Sequence, residues 1–259
     1  MLLAVDIGNT TVHIGVFEGE TLAATWRLGT DIERVMDEYA ILLLGLLGTR
    51  QLTPAQISDC VISSTVPSLT PIFQELVKRY FGCQSLVVGS GVRTGVRILY
   101  DNPRDVGPDR IIDALAAMRL YGPPPLIVVD CGTATVFDAI SREGDYVGGA
   151  IAPGIGLSAE TLFARASKLY RVELTRPPTA IGRNTVHALQ SGVLLGYVGL
   201  VEGLTARFKR ELGEDARVIG TGGWAATIAR ETDVIDLVDP NLTLLGLRFI
   251  HEINTAVKE

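Results

Sequence analysis

Cysteine is nearly missing from this chain: Cys60, Cys83 and Cys131 are the whole complement in 259 residues. They are odd in number and widely spaced, with no CxxC and no histidine beside them, which argues against a disulfide framework or a zinc site. Three reduced, structural thiols are expected, and Cys131 is the one whose surroundings could line a site. Histidine is equally sparse. His13, His187 and His251 make no pair at metal-ligand spacing, so no histidine metal centre is expected. Basic runs are lacking too, and the net charge is −6, so nucleic acid is excluded as a partner. The longest strongly apolar run, residues 41–47, falls well short of the roughly 20 residues that cross a bilayer. Asp6 stands where a signal peptide would be apolar. The expectation is a cytoplasmic protein with no membrane partner. At 47% hydrophobic and 20% charged residues, the composition is that of a folded globular chain.

What the chain does have is a pattern written twice. The apolar run Leu2-Leu3-Ala4-Val5 ends in Asp6-Ile7-Gly8-Asn9-Thr10, and Leu126-Ile127-Val128-Val129 ends in Asp130-Cys131-Gly132-Thr133-Ala134. The two acids lie 124 residues apart. Each copy opens a strand meander: residues 12–17, a turn at 18–20 and residues 21–28 in the first, residues 136–140, a turn at 142–145 and residues 146–151 in the second. Helices are expected over 35–47, behind a Thr30/Glu33 capping box, from Pro71 to near Gly82, and over 110–121, 157–166, 185–212, 224–231 and 242–253. A further strand is expected at 217–220. The Gly122-Pro123-Pro124-Pro125 run marks the boundary between domains 1–122 and 123–259.

An Asp at the end of a central strand, followed by Gly and hydroxyl residues in a tight turn, suits the phosphates of a nucleotide. Glycine lets backbone N–H groups approach phosphate oxygens, hydroxyls add donors, and the carboxylate can hold hydrated Mg²⁺. Two such turns facing each other would grip a triphosphate from both sides. This arrangement resembles the superfamily of acetate and sugar kinases, heat-shock chaperones and actin. That resemblance implies an α/β, duplicated actin-like (ribonuclease H-like) fold of two lobes with a cleft between them. Thr221-Gly222-Gly223, after a strand, resembles the adenosine loop of that superfamily.

Three further segments narrow the resemblance to type III pantothenate kinases. Gly107-Pro108-Asp109-Arg110 is similar to their G-x-D-R motif, Asp130-Cys131-Gly132-Thr133-Ala134-Thr135 to their second phosphate loop, and Ile181-Gly182-Arg183-Asn184-Thr185 with Gln190-Ser191-Gly192 to a segment near the substrate. The implied reaction is phosphorylation of pantothenate by ATP, giving 4′-phosphopantothenate, the entry step to coenzyme A. By the resemblance, Asp6, Ile7, Gly8, Asn9, Thr10, Thr11, Val12 and His13 bind ATP, with Thr133 adding a contact. Tyr100, Gly107, Pro108, Asp109, Arg110 and Thr185 contact pantothenate, Asp109 is the catalytic base, and Asp130 holds a monovalent cation, K⁺ or NH₄⁺. Spacing alone leaves open whether Asp130 faces that cation or Mg²⁺, and whether His13 touches nucleotide or is a satisfied strand histidine.

Asp109 and Arg110 open a helix, where an anion meets a guanidinium and a helix N-terminus, so Arg110 suits the pantothenate carboxylate and Asp109 its hydroxyl. The same neighbours are expected to lower the Asp109 pKa and leave it a weak base, which a loose phosphoryl-transfer transition state tolerates. Its position one turn into a helix leaves open whether His187 touches substrate. Gly192, Gly196, Gly199 and Gly203 share one face of an apolar helix, which implies a close-packed seam, either within the second lobe or across a twofold axis. The resemblance implies a homodimer. Competing readings are a kinase of the same fold with another acceptor, a regulatory relative without turnover, and a polyphosphate phosphatase. Intact Asp6, Asp109, Arg110 and Asp130 weigh against the regulatory one.

Overall fold

The structure of the protein is a computed structural model that describes residues 1–166 and 169–256. The chain forms two compact units, one of Met1–Val96, Asp101–Ala116 and Leu242–Glu259, the other of Arg97–Tyr100 and Ala117–Asn241.

The first unit is built on a five-stranded sheet. Strands β1 (Leu2–Ile7), β2 (Thr11–Glu18) and β3 (Thr21–Gly29) form an antiparallel meander, and β4 (Asp59–Ser64) and β5 (Ser85–Val87) extend it in parallel from the other side of β1. The order is β3-β2-β1-β4-β5. On one face Leu3, Val5, Ile7, Cys60 and Ile62 pack against Tyr39, Leu43 and Leu47 of α1 (Met36–Thr49) and Phe73, Leu76 and Val77 of α2 (Thr70–Phe81). Strands buried on both faces need no alternation, which explains the unbroken apolar run that precedes Asp6. The C-terminal helix α8 (Leu242–Thr255) lies along β1, β2 and β4, with Leu244 against Gly15. It also meets α3 (Pro108–Tyr121), because Gly246 leaves room for the Ile112 carbonyl that a Cβ would strike.

The second unit repeats this plan. Strands β6 (Leu126–Cys131), β7 (Ala134–Ile140) and β8 (Tyr146–Pro153) form the meander, and β9 (Arg217–Thr221) and β10 (Leu237–Val238) complete the sheet in the equivalent order β8-β7-β6-β9-β10. Its core joins Ile127, Val129 and Val218 to Leu194, Tyr197, Val198 and Val201. Helix α4 (Ile155–Arg165) follows the meander. Helices α5 (Thr185–Gln190) and α6 (Gly196–Leu212) are joined by a turn of π-helix over Ser191–Leu195, and α7 (Ala225–Ala229) follows β9. By length and composition the Thr185–Leu212 stretch would suffice to cross a bilayer, but its apolar side is committed to this core.

The structure differs from the expectations in how the chain divides and in the first helix cap, and it narrows the glycine seam. The boundary between compact units falls inside α3 rather than at the Pro run, and α8 belongs to the first unit, because its apolar side covers that unit's sheet. Residues 257–259, the end of the expected second domain, lie outside the described residues. The Thr30/Glu33 capping box does not form: α1 starts at Met36, where the Glu38 carboxylate accepts from Val35 N–H at 2.9 Å, while Thr30 bonds to the first loop. Finally, among the described residues a Cβ at Gly192, Gly196, Gly199 or Gly203 would meet no atom within 4 Å beyond its own stretch of helix, which leaves the twofold alternative for the seam.

Candidate active site

In the first unit, β1 and β2 are joined by Gly8, Asn9 and Thr10. Gly8 N–H donates to the Thr11 carbonyl at 3.0 Å, and a Cβ at Gly8 would sit 3.1 Å from that oxygen, so the turn favours glycine. Asp6 lies half-buried at the end of β1. Strand register sets it in a row across the sheet with His13 on β2, Arg27 on β3 and Ser63 on β4. The buried His13 ring meets Thr25 Oγ1 through Nε2 at 2.9 Å. Burial, then the nearby Arg27 charge, lowers its pKa to about 4, so the imidazole is neutral at pH 7. That geometry fits the satisfied strand histidine. Ser63, which the sequence reading passed over, is fully buried beside Asp6 with no hydrogen-bond partner for its hydroxyl among the described residues. A serine closing an apolar strand was its one signal.

In the second unit the matching turn is one residue shorter, Gly132 and Thr133, with Gly132 N–H bonded to the Ala134 carbonyl at 2.9 Å. Asp130 is half-buried and Thr133 exposed. Gly222, at φ 87°, lies so close that a Cβ there would overlap Asp130 Oδ1, and it would come 2.7 Å from the Cys131 carbonyl carbon. Trp224 N–H donates to the Cys131 carbonyl at 3.0 Å. Thr221-Gly222-Gly223 therefore closes directly over the second turn. Beside it, Trp224, Phe163, Leu174, Gly156 and Ala159 line a cavity of about 470 Å³. The Cys131 thiol belongs to the apolar core, and burial, helped by the Asp130 charge, raises its pKa to about 12.

The Gly-Pro-Asp-Arg segment forms the entry to α3, with Pro108 at the first helical position, where its lack of an N–H costs nothing. Arg110 is buried. The Asp109 carboxylate folds back so tightly that its Oδ1 lies where a Cβ of residue 107 would be. Its pKa is raised, which corrects the expectation of a weakened base. Loss of solvent outweighs the opposing effects of the Arg110 backbone N–H and guanidinium.

Tyr100 and Thr185 belong to the second unit. Tyr100 is half-buried, its ring 3.6 Å from the Cβ position of Gly148 and 6.4 Å from the Tyr146 ring. Thr185 is exposed at the start of α5, where Asn184 Oδ1 accepts from His187 N–H at 2.9 Å and the His187 ring lies 3.3 Å from Asn184 Nδ2. Gly182 packs on the Ala188 backbone with no room for a Cβ. Thus Asp6–His13 and Gly107–Arg110 fall in one unit, and Tyr100, Asp130, Thr133 and Thr185 in the other. Among the described residues no three or more His, Cys, Asp or Glu gather around a metal position. A single strand-end carboxylate suffices for Mg²⁺, which keeps several waters and takes other ligands from phosphates.

Two sheets of identical strand order, each ending its first strand in an acid-bearing turn, define the class of duplicated actin-like folds. Two solved structures share the fold: a Campylobacter jejuni protein described as a Baf family transcriptional activator (TM-score 0.64, 19% identity, 98% of this chain and 100% of that one) and a Sinorhizobium meliloti protein described as a 2-dehydro-3-deoxygalactonokinase (TM-score 0.64, 13% identity, 100% and 98%). Within that class the chain belongs to the type III pantothenate kinase family, whose model matches residues 2–207. It is 53% identical over 253 residues to a type III pantothenate kinase of Dehalococcoides mccartyi strain CBDB1, covering 98% of this chain and 96% of the relative.

Proposed function

We propose that the chain transfers the γ-phosphoryl group of ATP to the primary hydroxyl of pantothenate, giving ADP and 4′-phosphopantothenate, the first step towards coenzyme A. The observation that carries this reading is Asp109: a desolvated carboxylate with a raised pKa, folded onto Gly107 and followed by a buried arginine. Asp109 accepts the hydroxyl proton and Arg110 anchors the substrate carboxylate, with Tyr100, Gly107, Pro108 and Thr185 completing the acceptor site. The backbone of residues 6–13, together with Thr133, binds ATP. Asp6 would hold the divalent cation that accompanies ATP, and that ion would offset the charge of the phosphates. Asp130 holds a monovalent cation, the chain works in the cytoplasm, and it assembles as a homodimer.

A coupled ADP-release assay across candidate alcohols, with and without K⁺, tests this. Pantothenate should be the preferred acceptor and K⁺ should raise the rate. Asp109→Asn should lower turnover by about a hundredfold or more while the protein stays folded. Because the base must be ionised, the native rate should fall on the acid side at a pH above the ordinary carboxylate range. Near-native turnover in the variant would remove Asp109 from its role, and an enzyme indifferent to pantothenate would end the reading.

A further inference from the structure

Thr30, at the end of β3, was expected to cap a helix and instead reaches the first turn. Its hydroxyl donates to the Gly8 carbonyl at 2.6 Å, and its backbone N–H donates to the Thr10 carbonyl at 3.0 Å. The other inward groups of the turn are also taken. The Ile7 carbonyl accepts from Thr65 N–H at 2.9 Å and from the Thr65 hydroxyl at 3.2 Å, and Gly8 N–H is bonded to Thr11. A trans peptide points the C=O of one residue and the N–H of the next in opposite directions. Holding the Gly8 and Thr10 carbonyls toward Thr30 therefore aims the N–H groups of Asn9 and Thr11 away from β3. Thr30 is itself fixed by its neighbour, because the hydroxyl of the fully buried Tyr39 donates to the Asp31 carbonyl at 3.0 Å and accepts from Asp31 N–H at 2.9 Å.

The second unit provides an internal control. Gly154 lies 124 residues beyond Thr30, the spacing that relates Asp6 to Asp130. It makes the same backbone bond, Gly154 N–H to the Thr133 carbonyl at 2.9 Å, but a Cβ there would overlap the Gly132 and Thr133 carbonyl oxygens. The shorter turn leaves no space for a side-chain clamp. Only the longer, three-residue turn carries one.

We propose that Thr30 is a positioning residue for the nucleotide: its hydroxyl clamps the first turn so that backbone N–H groups of residues 9 and 11 are presented to phosphate oxygens. The proposal rests on the reading of residues 8–10 as a phosphate loop. Thr30→Val keeps the volume and removes the donor, whereas Thr30→Ser keeps the donor. Calorimetric titration of the full chain with the Mg²⁺ complex of the non-hydrolysable β,γ-imido analogue of ATP should show Thr30→Val binding about tenfold more weakly, and Thr30→Ser within about twofold of native. The KM for ATP should rise with that loss, with kcat less affected and the pantothenate KM unmoved. Native-like nucleotide binding by Thr30→Val, a serine variant as weak as the valine one, or an equal loss of pantothenate affinity would each overturn the clamp. Should circular dichroism show that the valine is not accommodated, Thr30→Ala carries the same expectations. Asp6→Asn in the same titration separates the two claims. Intact binding there overturns the loop assignment and the clamp with it, whereas lost binding there beside native-like Thr30→Val overturns the clamp alone.

Discussion

At Asp109 and His13 the loss of solvent sets the charge state, and in both it favours the neutral form. For Asp109 this makes a stronger base than its neighbours in the chain suggest. The motif was legible as Gly-Pro-Asp-Arg, but its electrostatics were not, because the sequence shows the adjacent arginine and hides the desolvation. Gly107 illustrates the same limit, since its place in the motif is readable and the overlap of its missing Cβ with the Asp109 carboxylate is not. For His13 the buried neutral ring makes stability depend on pH. The imidazole titrates near 6.5 in the unfolded chain and near 4 in the folded one. Between those values the unfolded chain binds a proton that the folded chain does not, so stability falls as pH drops from 6.5 to 4, by at most about 3 kcal/mol. His13→Gln, which keeps a polar partner for Thr25, should flatten that slope. Thermal melts at pH 7 and pH 4.5 check this: the native protein should lose several degrees more than the variant, and equal losses would refute it.

Among the elements, periodicity and punctuation located the helices well. Gly82 does close α2 with a left-handed conformation, at φ 69°. Three strands were missed: β4, although its buried Cys60-Val61-Ile62 run was a signal, and two short strands, β5 and β10, that had little to announce them. The β5 strand is three half-buried residues and β10 is two, and both are held by neighbours distant in sequence rather than by their own pattern. The Thr30/Glu33 pattern misled because the Thr30 hydroxyl found a tertiary partner. The glycine face of the Ser191–Leu195 turn and α6 was legible as a pattern and ambiguous in meaning until the surrounding atoms were known. Gly192, Gly196, Gly199 and Gly203 are exposed and have no close neighbour among the described residues outside their own helix, although each costs the helix about 1 kcal/mol against alanine. The homodimer proposed above would supply the compensation as close approach of a second copy. Gly199→Leu should therefore halve the solution mass measured by light scattering, even as it favours the helix locally. An unchanged mass together with a raised melting temperature would mean that this face is free.

For the molecule as a whole, the duplication was readable because both copies kept the acid-bearing turn and the meander, and the identical strand orders carry it through to the sheets. The allegiance of the C-terminus was not readable, because nothing local to α8 says which sheet it covers. In α8 Leu242, Leu244, Leu247 and Ile250 are fully buried and Phe249 nearly so. At about 1.5–3 kcal/mol for each large apolar side chain removed from water, losing these five would remove an amount comparable to the roughly 5–15 kcal/mol by which a domain is stable. It would also uncover the sheet face on which Asp6 stands, since Asp6 and Ala4 alternate with the Leu3, Val5 and Ile7 that pack on α1 and α2. A chain ending at Asn241 should consequently fail to bind nucleotide and show loss of cooperative unfolding in the first unit, although every proposed site residue is retained. Hydrogen exchange read by mass spectrometry should show β1 and β4 losing protection while β6 and β9 keep theirs. Protection retained in β1 would mean that the first sheet is stable without its C-terminal helix, and that a boundary near the Pro run describes the folding units better than the contacts of α8 do.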